Sequence, residues 1–254
     1  MGSARYRGFG YTAGMKIDAI ALLTKTVDHL KANAKGHIEV AIAQFVFTLL
    51  LTFGWICLGG FAMIGGGIGG AVIDGALGGE GLGTLLGLLG YALFFVSFAL
   101  VLPILIVLYF GYQSATFDEV DGKGPVSIRG VWGIITASIG ALFALTAISC
   151  GMSLVGVLFC YIGMFVTTLP FKFAHLIRHE RGVSLGEALG LSWRGFTAAP
   201  LDHLVVAIVE FIVIMVLAYI PLIGSMLVWP VVSVFDVLAY RVLHPKDEGL
   251  YGAG

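Results

Sequence analysis

Two carboxylates lie inside segments that are otherwise apolar, and they are the residues best suited to do chemistry in this sequence. Glu210 is about 12 Å along the segment that begins at residue 202, at 1.5 Å per residue, and Asp236 lies in the next apolar segment. An ionised carboxylate in hydrocarbon is costly, so it needs a partner or a watery cavity. The pair predicts an intramembrane polar site, either a proton or cation relay or a structural carboxyl that is protonated or hydrogen-bonded.

A pair of histidines suggests a weaker alternative, a metal site. His175 and His179 are four residues apart, so they face the same way on a helix, and imidazole is a common metal ligand. Glu180 or His203 would supply a further ligand. The other interpretation, which we favour, places both rings at headgroup level beside Lys172, where amphipathic side chains reach water.

Other catalytic patterns are incomplete. Gly151 and Ser153 match the G-x-S of an intramembrane serine protease, but every histidine falls in a segment predicted at the opposite membrane face, beyond reach of that serine. The segment 59–83 contains 12 glycines but lacks the lysine and the Ser/Thr residue of a phosphate-binding loop. We therefore expect no enzyme, no cofactor and no resident metal.

The composition predicts a protein built for lipid. Of 254 residues, 59% are hydrophobic and 11% are charged, which is far more apolar than a soluble domain of this size needs. The net charge of -1 argues against nucleic acid as a partner, because its phosphates require a concentrated basic surface. The three cysteines lie in apolar runs without metal-ligand spacing, which favours buried free thiols. The lipid bilayer is the expected environment.

The apolar runs predict an all-α bundle of six transmembrane helices, since about 20 apolar residues cross the hydrocarbon core. This membrane domain covers 37–243. Its spans are predicted at 38–63, 85–112, 130–148, 153–177, 202–219 and 222–243. Small residues at 149–153 predict a tight turn between the third and fourth spans, and the glycine-rich segment 59–83 predicts a pliable loop or a re-entrant turn.

Two amphipathic helices accompany the spans. Residues 15–36 have apolar positions at helical spacing and lysines on the other face, which fits a helix on an anionic leaflet or one packed on the protein's own membrane domain. In the second helix, Ser184 and Glu187 form a capping box, and Leu185, Leu189 and Phe196 form an apolar stripe. We expect a flexible N-terminal tail at 1–14, no cleaved signal peptide, and a short polar tail at 244–254.

The basic residues predict the orientation. Six alternating spans place both termini, the connector 113–130 and the segment 171–201 on one side of the membrane. Six of the Lys and Arg residues lie in the N-terminal region, two in the connector, four in the segment 171–201 and two at the C-terminus. Together they account for all 14. By the positive-inside rule that side is cytoplasmic.

The segment VSLGEALGLSWRGFTAAP at 183–200, with a following hairpin that ends in IGSMLVWP, carries a family resemblance. It resembles a loose grouping of bacterial multi-pass inner-membrane proteins of unknown function, which place a short interfacial S-L-x-E-A-L-x-x-S helix before a transmembrane hairpin. The resemblance covers roughly 160–243. It implies a helical fold and a bacterial inner-membrane location, and it supplies no catalytic residues.

Small residues in the third span predict close helix packing. They recur every four positions, which gives faces that let helix backbones approach in lipid; the residues are Gly133, Ala137 and Ala141, and Gly140 and Ala144. They favour a non-catalytic accessory or scaffold protein that packs against other integral membrane proteins. The alternative is a transporter of a small solute, proton or ion through Glu210, supported by the prolines within the spans that run toward the cytoplasm.

Overall fold

The computed structural model describes residues 17–77, 81–158, 168–220 and 222–245, and these residues form helices without strands. A 3-10 turn at Leu169–Phe171 lies between the fourth and fifth α-helices. The α-helices are α1 Ala19–Ala32, α2 Ala34–Leu77, α3 Leu82–Val120, α4 Ile128–Leu158, α5 Ala174–Arg181, α6 Leu185–Ala198, α7 Pro200–Ala218 and α8 Ile223–Leu243. The chain divides into two compact units, Gln44–Ile106 and the remainder.

Within the residues that the structure describes, five helices are long and apolar enough to cross a membrane, which supports the prediction of a helical membrane protein. The candidate spans are Ala34–Ala76, Val101–Val120, Ile128–Ser153, Pro200–Ala218 and Met226–Leu243. The predicted span at 153–177 contains residues 159–167, which lie outside the described residues, as do the predicted tail at 1–14 and most of the tail at 244–254.

The tight turn predicted at 149–153 is wrong, because α4 continues through these residues. Ser153 donates a hydrogen bond from its hydroxyl to the carbonyl of Ser149, at 2.8 Å. A serine that bonds back to the preceding helical turn satisfies its own polar group, so small polar residues do not have to end a helix in an apolar run.

The loop or re-entrant turn predicted at 59–83 is also wrong over its first part, because α2 remains helical to Leu77. Each interior glycine costs a helix about 1 kcal/mol in water, but in hydrocarbon every backbone amide must find a partner within the helix. Gly66 also has a packing role, since a β-carbon there would lie 2.6 Å from the carbonyl oxygen of Leu86 on α3. Within the unit Gln44–Ile106, this glycine lets the two backbones approach.

The core of the other unit forms around the C-terminal half of α8. The apolar residues of α8 that are most completely buried are Val234, Phe235, Val237, Ala239 and Tyr240. Helix α1 packs against α8 and α7 through a face that buries Leu22, Thr26 and His29. This contact supports the interpretation of residues 15–36 as a helix packed on the protein's own membrane domain.

Helix α6 begins where the sequence predicts, with the Ser184 hydroxyl accepting a hydrogen bond from the backbone N–H of Glu187 at 3.3 Å. Its buried face differs from the predicted apolar stripe, whose residues are only half buried. The buried residues of α6 are Ala188, Leu191, Ser192 and Gly195. Ser192 bonds to the neighbouring 3-10 turn, and a β-carbon at Gly195 would collide with the ring of His244, so small side chains let α6 lie close to both neighbours.

Candidate functional site

A single ammonium joins the two carboxylates that the sequence places inside apolar segments. Lys172 immediately follows the 3-10 turn, and its Nζ lies 2.8 Å from Oδ1 of Asp236 on α8. It also forms an ion pair with Glu210 on α7. We call Lys172, Glu210 and Asp236 the charge triad. The triad draws together three segments that are distant in the sequence.

Asp236 is the fully enclosed member of the triad, with its side chain 2% exposed. Its second oxygen, Oδ2, accepts hydrogen bonds from the Tyr109 hydroxyl at 3.0 Å and from Nε2 of Gln113 at 2.8 Å, both on α3. A buried charge is tolerated only when it is paired and hydrogen-bonded. Asp236 meets both requirements, and in doing so it connects α3 to α8 and the 3-10 turn.

Glu210 has a different environment, because its side chain is 21% exposed and Lys172 is its ionic partner. In the described part of the chain, no second cationic side chain lies within 4.0 Å of either triad carboxylate. With both carboxylates ionised, the triad would carry a net charge of -1. A proton or a monovalent cation at Glu210 would balance this charge in a poorly solvated site.

The position of Lys172 depends on the 3-10 turn before it. Pro170 has no backbone N–H to donate, which favours a break at this point. Its carbonyl accepts a hydrogen bond from the buried Ser192 hydroxyl of α6, at 2.7 Å. The sequence does contain a signal for Lys172, since it is the one charged residue in 130–177. A lone lysine in so long an apolar run requires an internal partner.

A second ionic cluster lies at the end of α8. Arg241 pairs with Glu180 on α5, with 2.6 Å between Nη1 and Oε1, and with Asp121 just after α3. Its guanidinium lies 4.1 Å from the ring centre of Phe117. The Tyr240 hydroxyl donates a hydrogen bond to Glu180. These contacts join the ends of three helices, and we assign them a structural role.

The two histidines of the weak metal alternative contact different partners. His175 is buried, and its ring stacks on Phe110 with ring centres 4.3 Å apart. His179 lies 3.1 Å from Asp118 through Nε2. Neither Glu180 nor His203 joins them in a ligand cluster among the described residues. The ring of His203 instead lies against the ring of His244. The pKa of His244 is lowered to about 3, mainly by burial and in addition by the nearby His203 and Arg181.

A different trio of the described residues has the composition of a metal site. One ligand atom from each of His29, His37 and Glu119 lies within 4.8 Å of the other two. The sequence offers no motif for this trio, because the residues are separated by 8 and 82 positions on three different helices.

The small residues of α4 divide between two environments. Gly133, Ala137 and Gly140 are exposed, whereas Ala141 and Ala144 are half buried. A β-carbon added at Gly133 or Gly140 would meet nothing within 4 Å in the described structure. The exposed part of this face therefore has no packing role that the described contacts account for.

The chain matches no protein-family model, no curated protein and no solved structure. Its candidate sites are therefore interpreted from their own geometry.

Proposed function

We propose that this chain is a non-catalytic accessory or scaffold protein that packs against other integral membrane proteins. The observation that carries the proposal is the two-sided character of α4. Large side chains such as Ile135 and Leu142 are buried on one side, and at 100° per residue the small residues lie on the opposite side.

The exposed small-residue face suits a helix partner better than it suits lipid. Lipid tails are as apolar as leucine, so helices associate in membranes through close van der Waals packing, and small residues permit the closest approach. Trp132, Ile139 and Phe143 lie along one edge of this face and are themselves exposed. A partner helix could lie in the shallow groove that Gly133, Ala137 and Gly140 form beside these larger side chains.

The first prediction concerns this face. The wild-type protein should purify from native membranes in mild detergent within a larger, stoichiometric membrane assembly. Replacing Ala137 and Ala141 together by Leu should abolish that assembly, because the added side chains fill the groove. The measurement is the mass of the purified particle by light scattering, together with its subunit stoichiometry.

The control for this experiment is the pair Ala71→Leu and Ala92→Leu, which adds the same volume at two exposed alanines outside this face, on α2 and α3. That variant should retain the assembly. A wild-type protein that purifies alone, with the mass of one chain, would contradict the proposed scaffold role.

We place the protein in the bacterial inner membrane, with six spans and both termini in the cytoplasm. The one-sided distribution of the 14 basic residues supports the orientation, and the S-L-x-E-A-L-x-x-S resemblance supports the location. This topology requires one span besides the five candidate spans; the sequence predicts it at 153–177, of which residues 159–167 lie outside the described residues.

The second prediction tests the orientation. In a variant with all three native cysteines replaced by Ala, Gly81→Cys should react with a membrane-impermeant thiol reagent added outside intact cells. Lys123→Cys should react only after the cells are opened, because its connector lies inside. Both positions are exposed in the structure. Labelling of Lys123→Cys but not of Gly81→Cys in intact cells would show that the protein has the opposite orientation.

Transport of a proton or small cation is a second candidate function, favoured by the single ammonium shared between two carboxylates. Irregular backbone such as the 3-10 turn before Lys172, and a proline within a helix such as Pro230 in α8, are typical of transporter binding sites. Flux through liposomes that contain the purified protein alone, lost in Glu210→Gln, would favour transport over the scaffold role.

A further inference from the structure

His29, His37 and Glu119 converge where α1, α2 and α3 meet. Oε2 of Glu119 lies 3.0 Å from Nε2 of His29 and 2.7 Å from Nε2 of His37. Each of the three side chains is at most 5% exposed. Two imidazole nitrogens thus face one carboxylate oxygen in a site closed to solvent.

The surrounding contacts orient the cluster. Nδ1 of His37 lies 2.6 Å from the Tyr112 hydroxyl, which fixes the ring so that Nε2 points into the cluster. The other oxygen of Glu119, Oε1, accepts a hydrogen bond from the backbone N–H of Val126 at 3.2 Å. This contact leaves Oε2 directed at the two histidines.

His37 is incompletely satisfied by this arrangement. Its Nε2 is buried and has no hydrogen-bond partner among the described residues, although Oε2 of Glu119 is only 2.7 Å away. The carboxylate oxygen lies off the direction in which a ring N–H would point. A metal ion bound by three ligands likewise does not lie on the straight line between any two ligand atoms. The direction of the His37 ring nitrogen relative to the Glu119 oxygen therefore fits metal coordination better than a direct hydrogen bond.

We propose that His29, His37 and Glu119 bind one divalent transition metal ion of the Zn²⁺ type. Two imidazoles and a carboxylate are ligands that such ions accept, and a tetrahedral site would keep its fourth position for water or another ligand. Bonds of about 2.0 to 2.1 Å at tetrahedral angles place ligand atoms about 3.3 Å apart. The two His–Glu separations, 3.0 and 2.7 Å, are shorter than this by a few tenths of an ångström, and the two histidine nitrogens lie within 4.8 Å of each other.

The bound ion would connect α1 to the beginning of α2 and the end of α3. Tyr112 would serve as the outer-shell partner that orients His37, a role usually filled by a carboxylate, carbonyl or water. This proposal is independent of the proposed scaffold role, because it rests on other residues and tests another property.

The third prediction is metal binding by the full-length protein in detergent, purified through a tag without histidines. After treatment with a chelator, equilibrium dialysis against Zn²⁺ alone should give one zinc per chain by elemental analysis. Glu119→Gln and His37→Gln should each lower the affinity by more than about 100-fold, whereas Tyr112→Phe should lower it by about 10- to 100-fold, as loss of an outer-shell partner does.

The matched controls are Glu187→Gln and His179→Gln, which change the same residue types outside the cluster and should leave zinc affinity unchanged. Helical content and gel-filtration behaviour identify any variant that misfolds. Should such misfolding occur, a zinc-dependent rise in the unfolding temperature of the wild type, absent with Mg²⁺, supports the site without any variant. Folded wild-type protein that binds no zinc, or Glu119→Gln with wild-type affinity, would overturn the proposal.

Discussion

Replacing Lys172 by Met should destabilise the folded protein by about 3 to 5 kcal/mol, the cost of removing one partner from a buried ion pair. The change leaves Glu210 and Asp236 without their shared ammonium, and Asp236 is 2% exposed. The remaining donors, Tyr109 and Gln113, contact only one oxygen of Asp236. Thermal unfolding in detergent, followed by helical content, measures the loss.

Two variants make this result specific to the charge triad. Lys123→Met removes a lysine whose side chain is 55% exposed and paired with Asp118, and this change should cost at most about 1 kcal/mol. Combining Lys172→Met with Glu210→Gln and Asp236→Asn should restore much of the lost stability, because no buried charge is then unpaired. If Lys172→Met costs no more than Lys123→Met, the triad is not a buried ionic site.

Substitutions at Glu210 should follow the same logic. Glu210→Gln preserves the pairing of Lys172 with Asp236 and should leave the fold intact. Glu210→Lys places a second ammonium beside Lys172 and should be much more damaging.

The helical membrane character could be predicted from the sequence because it depends on local composition. A run of about 20 apolar residues is a sufficient condition for a candidate span, and the described part of the chain contains five such helices. The ends of the helices are harder to predict from the sequence. Ser149 and Ser153 are turn-forming residues in water, yet inside an apolar run their hydrogen bond lies within the helix.

The sites depend on contacts between distant segments, which periodicity does not encode. Glu210 and Asp236 could be selected as costly charges, but their common partner Lys172 precedes them by 38 and 64 positions. The predicted apolar stripe of α6 differs from its buried face for a related reason. Hydrophobicity selected Leu185 and Leu189, whereas the packed face contains Ser192, whose hydroxyl finds the carbonyl of Pro170.

Replacing Gly36 by Ala should lower stability by about 1 to 3 kcal/mol, the usual cost of overpacking. A β-carbon at Gly36 would collide with the backbone carbonyl oxygen of Val126 and lie 3.3 Å from its carbonyl carbon, and backbone atoms cannot rotate away as a side chain can. The natural control is Gly54→Ala, also on α2, where a β-carbon meets nothing within 4 Å.

The Gly54→Ala control should be neutral or stabilising by up to about 1 kcal/mol, since Ala is the better helix former. A loss of stability in Gly36→Ala, without a loss in Gly54→Ala, would therefore report the contact with Val126 and not helix propensity. Because Gly36 precedes His37 and Val126 donates to Glu119, the Gly36→Ala variant should also bind Zn²⁺ more weakly than wild type. Unfolding temperatures that rise equally in both variants would show that α2 does not approach Val126 this closely.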